Sequence, residues 1–286
     1  MLKLLLHLAI ALQLSAPCIG YAETENWRSR ESADTEVTAS DIAAEISLGR
    51  AIAAKIFGKY ISYDSPKLIE YVNLVGNALT LNINRPELEF HFTILDTDEV
   101  NSYAAPGGYV FITKGALEFM ADESELAGVL AYEIAHISQK DVVRELNIRG
   151  SDEPPSFAKL ISGASGAIRA ALQIDKNTTQ IIKHSDIVVD KGFDLIYRDT
   201  YKPEDKFHAC RTSILISTLG GYDPAGLIRF LARIKQTIEN IPDKPNHITQ
   251  ALNTRISHLK DAIANEDFGH IEFSQNIIRF TDAMEK

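Results

Sequence analysis

The stretch Leu126–Val143, LAGVLAYEIAHISQKDVV, decides how the rest of the chain is read. Asp122 and Glu125 stand just before it in capping-box spacing, so a helix is predicted to start there and to carry Tyr132, Glu133 and His136 well inside it. Positions i and i+4 share a helical face. The pattern resembles His-Glu-x-x-His, in which two imidazoles bind zinc and the Glu between them deprotonates a metal-bound water. Here tyrosine occupies the first ligand position. Glu133 remains as a vestigial general base and His136 as a vestigial ligand. Taken without their surroundings, Tyr132 and His136 also fit an ordinary amphipathic helix.

Working outward, EFHFTIL from Glu89 and YVFIT from Tyr109 alternate and are rich in aromatic and β-branched residues, which predicts two strands of a small sheet. The run Ala105-Pro106-Gly107-Gly108 before the second strand predicts a turn. Between Asp41 and Leu81, apolar residues at helical spacing predict two helices broken near Tyr63 to Pro66. SDEPPS at 151–156 reads as a break, and Pro242 to Pro245 as a loop.

The chain has 286 residues, 45% of them hydrophobic, enough for a sizeable core. With 39 acidic against 29 basic residues the formal charge is -10, which argues against nucleic acid as a partner. Lys3, the apolar run Leu4–Leu14 and the small residues Gly20 and Ala22 read as a signal peptide over 1–22, followed by a flexible leader over 23–38. The run is shorter than the roughly 20 residues a membrane helix needs, so no integral span is expected after cleavage. A periplasmic or secreted location follows. Pro17 suits lipid attachment at Cys18 poorly, and with Cys18 removed Cys210 is the single remaining cysteine, read as a small buried hydrophobe.

Three ordered blocks carry a family resemblance: EISLGR from Glu45, NSYAAPGGYVFITKGALEF from Asn101 running into DESELAGVLAYEIAHISQKD, and GGYDPAGLIRFLARI from Gly220. Together they resemble the periplasmic gluzincin zinc metalloendopeptidases of the BepA and LoiP group, relatives of the CAAX prenyl proteases. The resemblance implies an α+β fold, a mainly helical metallopeptidase-like domain with a small β-sheet over 39–286. It also implies a third zinc ligand, a Glu, at a fixed distance before the Gly-Tyr-Asp-Pro turn. Counting back from Gly221 places Lys206 there, with Glu204, Asp205 and His208 as neighbouring substitutes. NTRISHL from Asn253 resembles the family's end motif, without the His-Pro that precedes it elsewhere. For the interval 150–192 the resemblance implies lid-like helices, while the residues alone equally suit one amphipathic core helix.

A phenol and an ammonium in place of an imidazole and a carboxylate suit zinc badly. No cofactor is therefore expected, zinc being retained only if the alternative of an active peptidase with unorthodox ligands holds. One accommodation is that the Lys206 ammonium sits beside Glu133, with Tyr132 and His136 completing a polar cluster. The resemblance further implies that Gly107, Gly108, Tyr109, Val110 and Phe111 lie at the edge of a peptide-binding cleft, where an extended chain can pair with a strand. The partner class is thus a polypeptide substrate or client, or an envelope protein complex, in protein quality control.

Overall fold

Thr38 and Asp41 cap each other's backbone N–H groups, and helix α1 (Ala39–Lys59) begins from that box. The computed structural model describes residues 37–148, 176–241, 246–266 and 273–285, and for 176–185 the backbone alone. The expected signal peptide, nearly all of the leader, SDEPPS and the 242–245 loop lie outside these residues. Helix α2 (Pro66–Thr80) opens on a proline whose missing N–H costs nothing at a first turn. The break between α1 and α2 falls at 60–65, as the spacing predicted.

Three short strands follow: β1 (His91–Leu95), β2 (Ser102–Ala105) and β3 (Tyr109–Thr113). Their order is β1-β3-β2, with β1 parallel and β2 antiparallel to β3. The sequence showed β1 and β3. It hid β2, because SYAA carries little strand propensity and forms a strand by pairing with Ala104 opposite Val110 and Ser102 opposite Ile112. Pro106-Gly107-Gly108 closes the β2–β3 hairpin, with Gly107 at φ 73° and Gly108 at φ 97°, backbone positions that favour glycine.

Helix α3 (Lys114–Phe119) leads into α4 (Glu123–Ser138), the helix of the decisive stretch, on which every residue from Glu123 to Ile137 is buried. After the short α5 (Asp141–Glu145) come α6 (Lys176–Tyr197), α7 (Pro203–Leu219), α8 (Gly226–Glu239), α9 (Asn246–Asn265) and α10 (Ile277–Met284). Helix α4 is central: α7 and α8 pack on it along with α2 and the sheet. Small residues make that crowding possible. A Cβ on Gly128 would lie 2.6 Å from the Leu227 nitrogen, and one on Gly226 would lie 2.0 Å from the Ser124 carbonyl oxygen. The architecture is α+β, mainly helical with a small mixed sheet.

Charge fastens the start of α4 to the later helices. Glu125, fully buried, accepts from Arg233 on α8 at 2.5 and 2.7 Å, and Asp122 accepts from Arg229 at 3.0 Å. Glu123 accepts from Tyr71 at 2.6 Å and pairs with Arg279 on α10. These bonds join the DESEL block to the GGYDPAGLIRFLARI block, which sequence alone could only set side by side. The Asp122–Glu125 box is half realised: the Asp122 carboxylate accepts from the Glu125 N–H, but the Glu125 carboxylate accepts from Ala121.

Candidate functional site

Tyr132, Glu133 and His136 project from α4 into a cavity of ≈ 70 Å³, and all three are buried. The walls come from β2, from the link after α6 that carries Asp199 and Tyr201, from α8, and from Arg255 on α9. The Tyr132 and His136 rings meet edge to face at 4.6 Å, the i, i+4 contact the sequence required.

Each polar group has a distinct setting. The Ser102 hydroxyl donates to Glu133 Oε1 at 2.6 Å. Burial pushes the Glu133 carboxyl up, against the opposing pull of His136 and the Ser102 bond. His136 Nδ1 lies 2.5 Å from Asp141 Oδ2, and Asp141 in turn accepts from Arg144 at 2.6 Å. Such a carboxylate fixes which imidazole nitrogen bears the proton and leaves Nε2 facing away from it. The Tyr201 ring stacks on His136 at 4.3 Å. Burial holds the phenols of Tyr132 and Tyr201 protonated, far above the usual tyrosine range. Tyr132 OH, His136 Nε2 and Tyr201 OH have no hydrogen-bond partner among the described residues.

Arg255 supplies the positive charge of the cavity. Its guanidinium lies 3.9 Å from the centroid of the Tyr132 ring. Burial works against the ion, but Tyr132, Cys210 and Asp199 outweigh it and hold the group charged. Lys206, expected beside Glu133, is instead turned to the 198–200 link, where Nζ donates to the Asp199 carbonyl at 2.6 Å and to its carboxylate at 3.0 Å. The reason is local. Asp199 adopts a left-handed turn at the end of α6 that brings its carbonyl and side chain to the first turn of α7.

The substitutes disperse as well. Glu204 is exposed. Asp205 is buried but bonded to Arg144 at 2.7 Å, and burial together with Asp141 raises its carboxyl. His208 faces Phe207, edge to face at 5.7 Å. Cys210 is buried, as read.

Zinc sites need deprotonated N, S or O donors in a close set. No group of three or more His, Cys, Asp or Glu side chains able to hold a metal occurs among the described residues. With a neutral phenol at the first ligand position and a guanidinium against it, the residues present do not fit the zinc that the resemblance implies.

The strand expected at the cleft edge is not an edge strand. Strand β3, with Tyr109, Val110 and Phe111, is the central strand and is paired on both sides, so it offers no edge to an extended peptide. The edge beside Glu133 belongs to β2. Gly107 and Gly108 are buried, the first donating its N–H to Glu45 Oε1 at 3.3 Å and the second packed against the Glu89 carbonyl. The turn is closed by its neighbours and leaves no open approach.

Residues 66–200 match the model of Peptidase family M48, a segment holding the sheet, α4 and the link through Asp199. Just under half of the chain is therefore similar to this family. Similar proteins include the beta-barrel assembly-enhancing protease of Escherichia coli strain K12, 24% identical over 68% of this chain and 38% of that protein. The protein of the same name from Yersinia pestis is 26% identical over 64% of this chain and 36% of its own length. A putative one from Vibrio cholerae is 27% identical over 56% and 34%. The alignments thus span well under half of these relatives. Lys206 and Arg255 lie beyond the segment that matches the M48 model. No helix among the described residues is long and apolar enough to cross a membrane.

Sequence reasoning missed Ser102, Asp141, Asp199, Tyr201 and Arg255. Asp141 alone left a readable signal, an acidic residue five positions after His136 and one turn beyond the helix end. The others reach the cavity from segments that only the fold brings together.

Proposed function

We propose that this chain is an M48-type pseudopeptidase, an exported polypeptide-binding domain that has given up zinc-dependent hydrolysis and serves protein quality control in the cell envelope. One observation carries the reading: the Arg255 guanidinium stands 3.9 Å over the ring of Tyr132, the residue at the expected first ligand position. A divalent ion there would meet like charge and a phenol that burial keeps protonated. The relatives named for β-barrel assembly support an envelope client, and the apolar start of the sequence supports export. Domain limits of 1–22, 23–38 and 39–286 belong to the same proposal.

The second reading, an active zinc peptidase with unorthodox ligands, is favoured by His136 Nε2, which is buried and unpartnered among the described residues. In that case Glu133 is the general base. Elemental analysis of untagged protein, with casein cleavage followed in the presence and absence of a chelator, separates the two. We expect substoichiometric zinc and no chelator-sensitive cleavage. One zinc per chain with cleavage that the chelator abolishes overturns the proposal.

A further inference from the structure

Arg255 has no carboxylate within ion-pair distance among the described residues, and as a residue it stays partly accessible although its Nε is enclosed without a partner. Burying a charge without a counter-ion is costly. Within the same cavity, the hydroxyls of Tyr132 and Tyr201 also lack partners, on residues only 6% and 8% exposed. Buried polar groups in native proteins are overwhelmingly satisfied, so such a set points to a missing bonding partner. The nearby acids are engaged: Asp199 with Lys206, Asp141 with His136 and Arg144, Asp205 with Arg144, and Glu133 in the cavity itself with the Ser102 hydroxyl. What remains is the Arg255 guanidinium, two phenol hydroxyls and His136 Nε2, and a ligand that satisfies the guanidinium and both hydroxyls together is an anion with several lone pairs.

The other wall is apolar, lined by Val129, Leu227, Phe230, Leu231 and Ile234. A volume of ≈ 70 Å³ holds a small planar anion with a short apolar side chain, and leaves no room for a chain running through. From this arrangement we infer that the cavity binds a carboxylate carried on a small apolar group, with Arg255 as counter-ion and the Tyr132 and Tyr201 hydroxyls as donors. On the polypeptide-binding reading above, on which this inference rests, the carboxylate is the free C-terminus of a bound chain. The remnant of a peptidase centre then serves as a C-terminal anchor.

The test is isothermal titration of the purified chain with an N-acetylated heptapeptide ending in valine, made as the free acid and as the amide, together with N-acetylvaline alone. The free acid should bind at least about ten-fold more tightly than the amide, because the amide offers no charge to the guanidinium. N-acetylvaline binding as tightly as the peptide acid identifies a free small carboxylate as the ligand, and weaker binding identifies a chain terminus. Both outcomes sustain the site. Arg255→Gln should abolish the preference for acid over amide, and Tyr201→Phe should reduce it several-fold. Equal binding of acid and amide, or no binding of any probe, overturns the inference, and the unaltered protein decides this even if the Arg255 variant does not fold. Metal content and cleavage are measured separately, so loss of the pseudopeptidase reading is recognised on its own.

Discussion

The Arg255 guanidinium and the Tyr132 ring face each other at 3.9 Å, and this one contact joins the NTRISHL segment of α9 to the YEIAH segment of α4. A cation over an aromatic face is attracted by the ring quadrupole, and the attraction grows when water is excluded. Tyrosine at position 132 therefore has a role of its own. It provides a seat for the positive charge, where a neutral imidazole would provide a donor to metal.

Restoring the ligand set tests that view. Tyr132→His combined with Lys206→Glu removes the phenol ring and places a carboxylate at the third-ligand position that the resemblance implies. The double variant is expected to bind zinc at least about ten-fold more tightly than the native chain in competition with a chromogenic chelator. Equal affinity in the two proteins would show that the ligand positions are wrongly assigned.

Glu45, in the EISLGR block, turns out to serve the fold. Its carboxylate accepts from Arg85 at 2.7 Å, both side chains are almost wholly buried, and Arg85 also donates to the Ile137 carbonyl at the end of α4 at 2.9 Å. Glu45→Ala leaves the buried Arg85 with only Glu87, 2.5 Å from its Nε, as counter-ion, and should cost about 1–3 kcal/mol in urea unfolding. Glu45→Gln keeps a hydrogen bond and should cost clearly less. Equal losses would mean that charge plays no part.

Why part of the site was legible and part was not follows from how each residue arrives there. Tyr132, Glu133 and His136 obey helical spacing on a single element, so four positions of sequence fixed their mutual geometry. Asp141 followed within one turn. Arg255 and Tyr201 come from segments that approach α4 only through tertiary packing, and no local pattern marks them. The Lys206 expectation failed for the same kind of reason: the charge was read correctly, but Asp199, seven residues earlier, claims the ammonium through a left-handed turn that propensity does not announce. Strand β2 was hidden because SYAA pairs by position, whereas β1 and β3 advertised themselves by composition.

The crossing of α4 and α8 makes a packing prediction. Gly226→Ala would drive a Cβ to 2.0 Å from the Ser124 carbonyl oxygen, a backbone atom that cannot rotate away. Overpacking of this kind costs about 1–3 kcal/mol. For a chain of this size that lowers the melting temperature by roughly 2–4 °C per kcal/mol, which calorimetry resolves. Gly58→Ala is the control, since a Cβ there meets nothing within 4 Å, and its melting temperature should not fall.

His258 gives the pH dependence a sign. It lies half-buried on α9 with Phe207 edge-on at 4.9 Å, and burial lowers its pKa from 6.5 against the weaker pull of Asp261. Below 6.5 the unfolded chain takes up a proton at this ring that the folded chain refuses, so protonation favours unfolding. The stability that the neutral ring provides is present above pH 6.5 and is lost as pH falls through 6.5 toward the folded value. His258→Gln cannot titrate and should flatten the decline in urea midpoint between about pH 7 and pH 5 relative to the native chain. Parallel curves for the two proteins would remove His258 from the acid sensitivity of the fold.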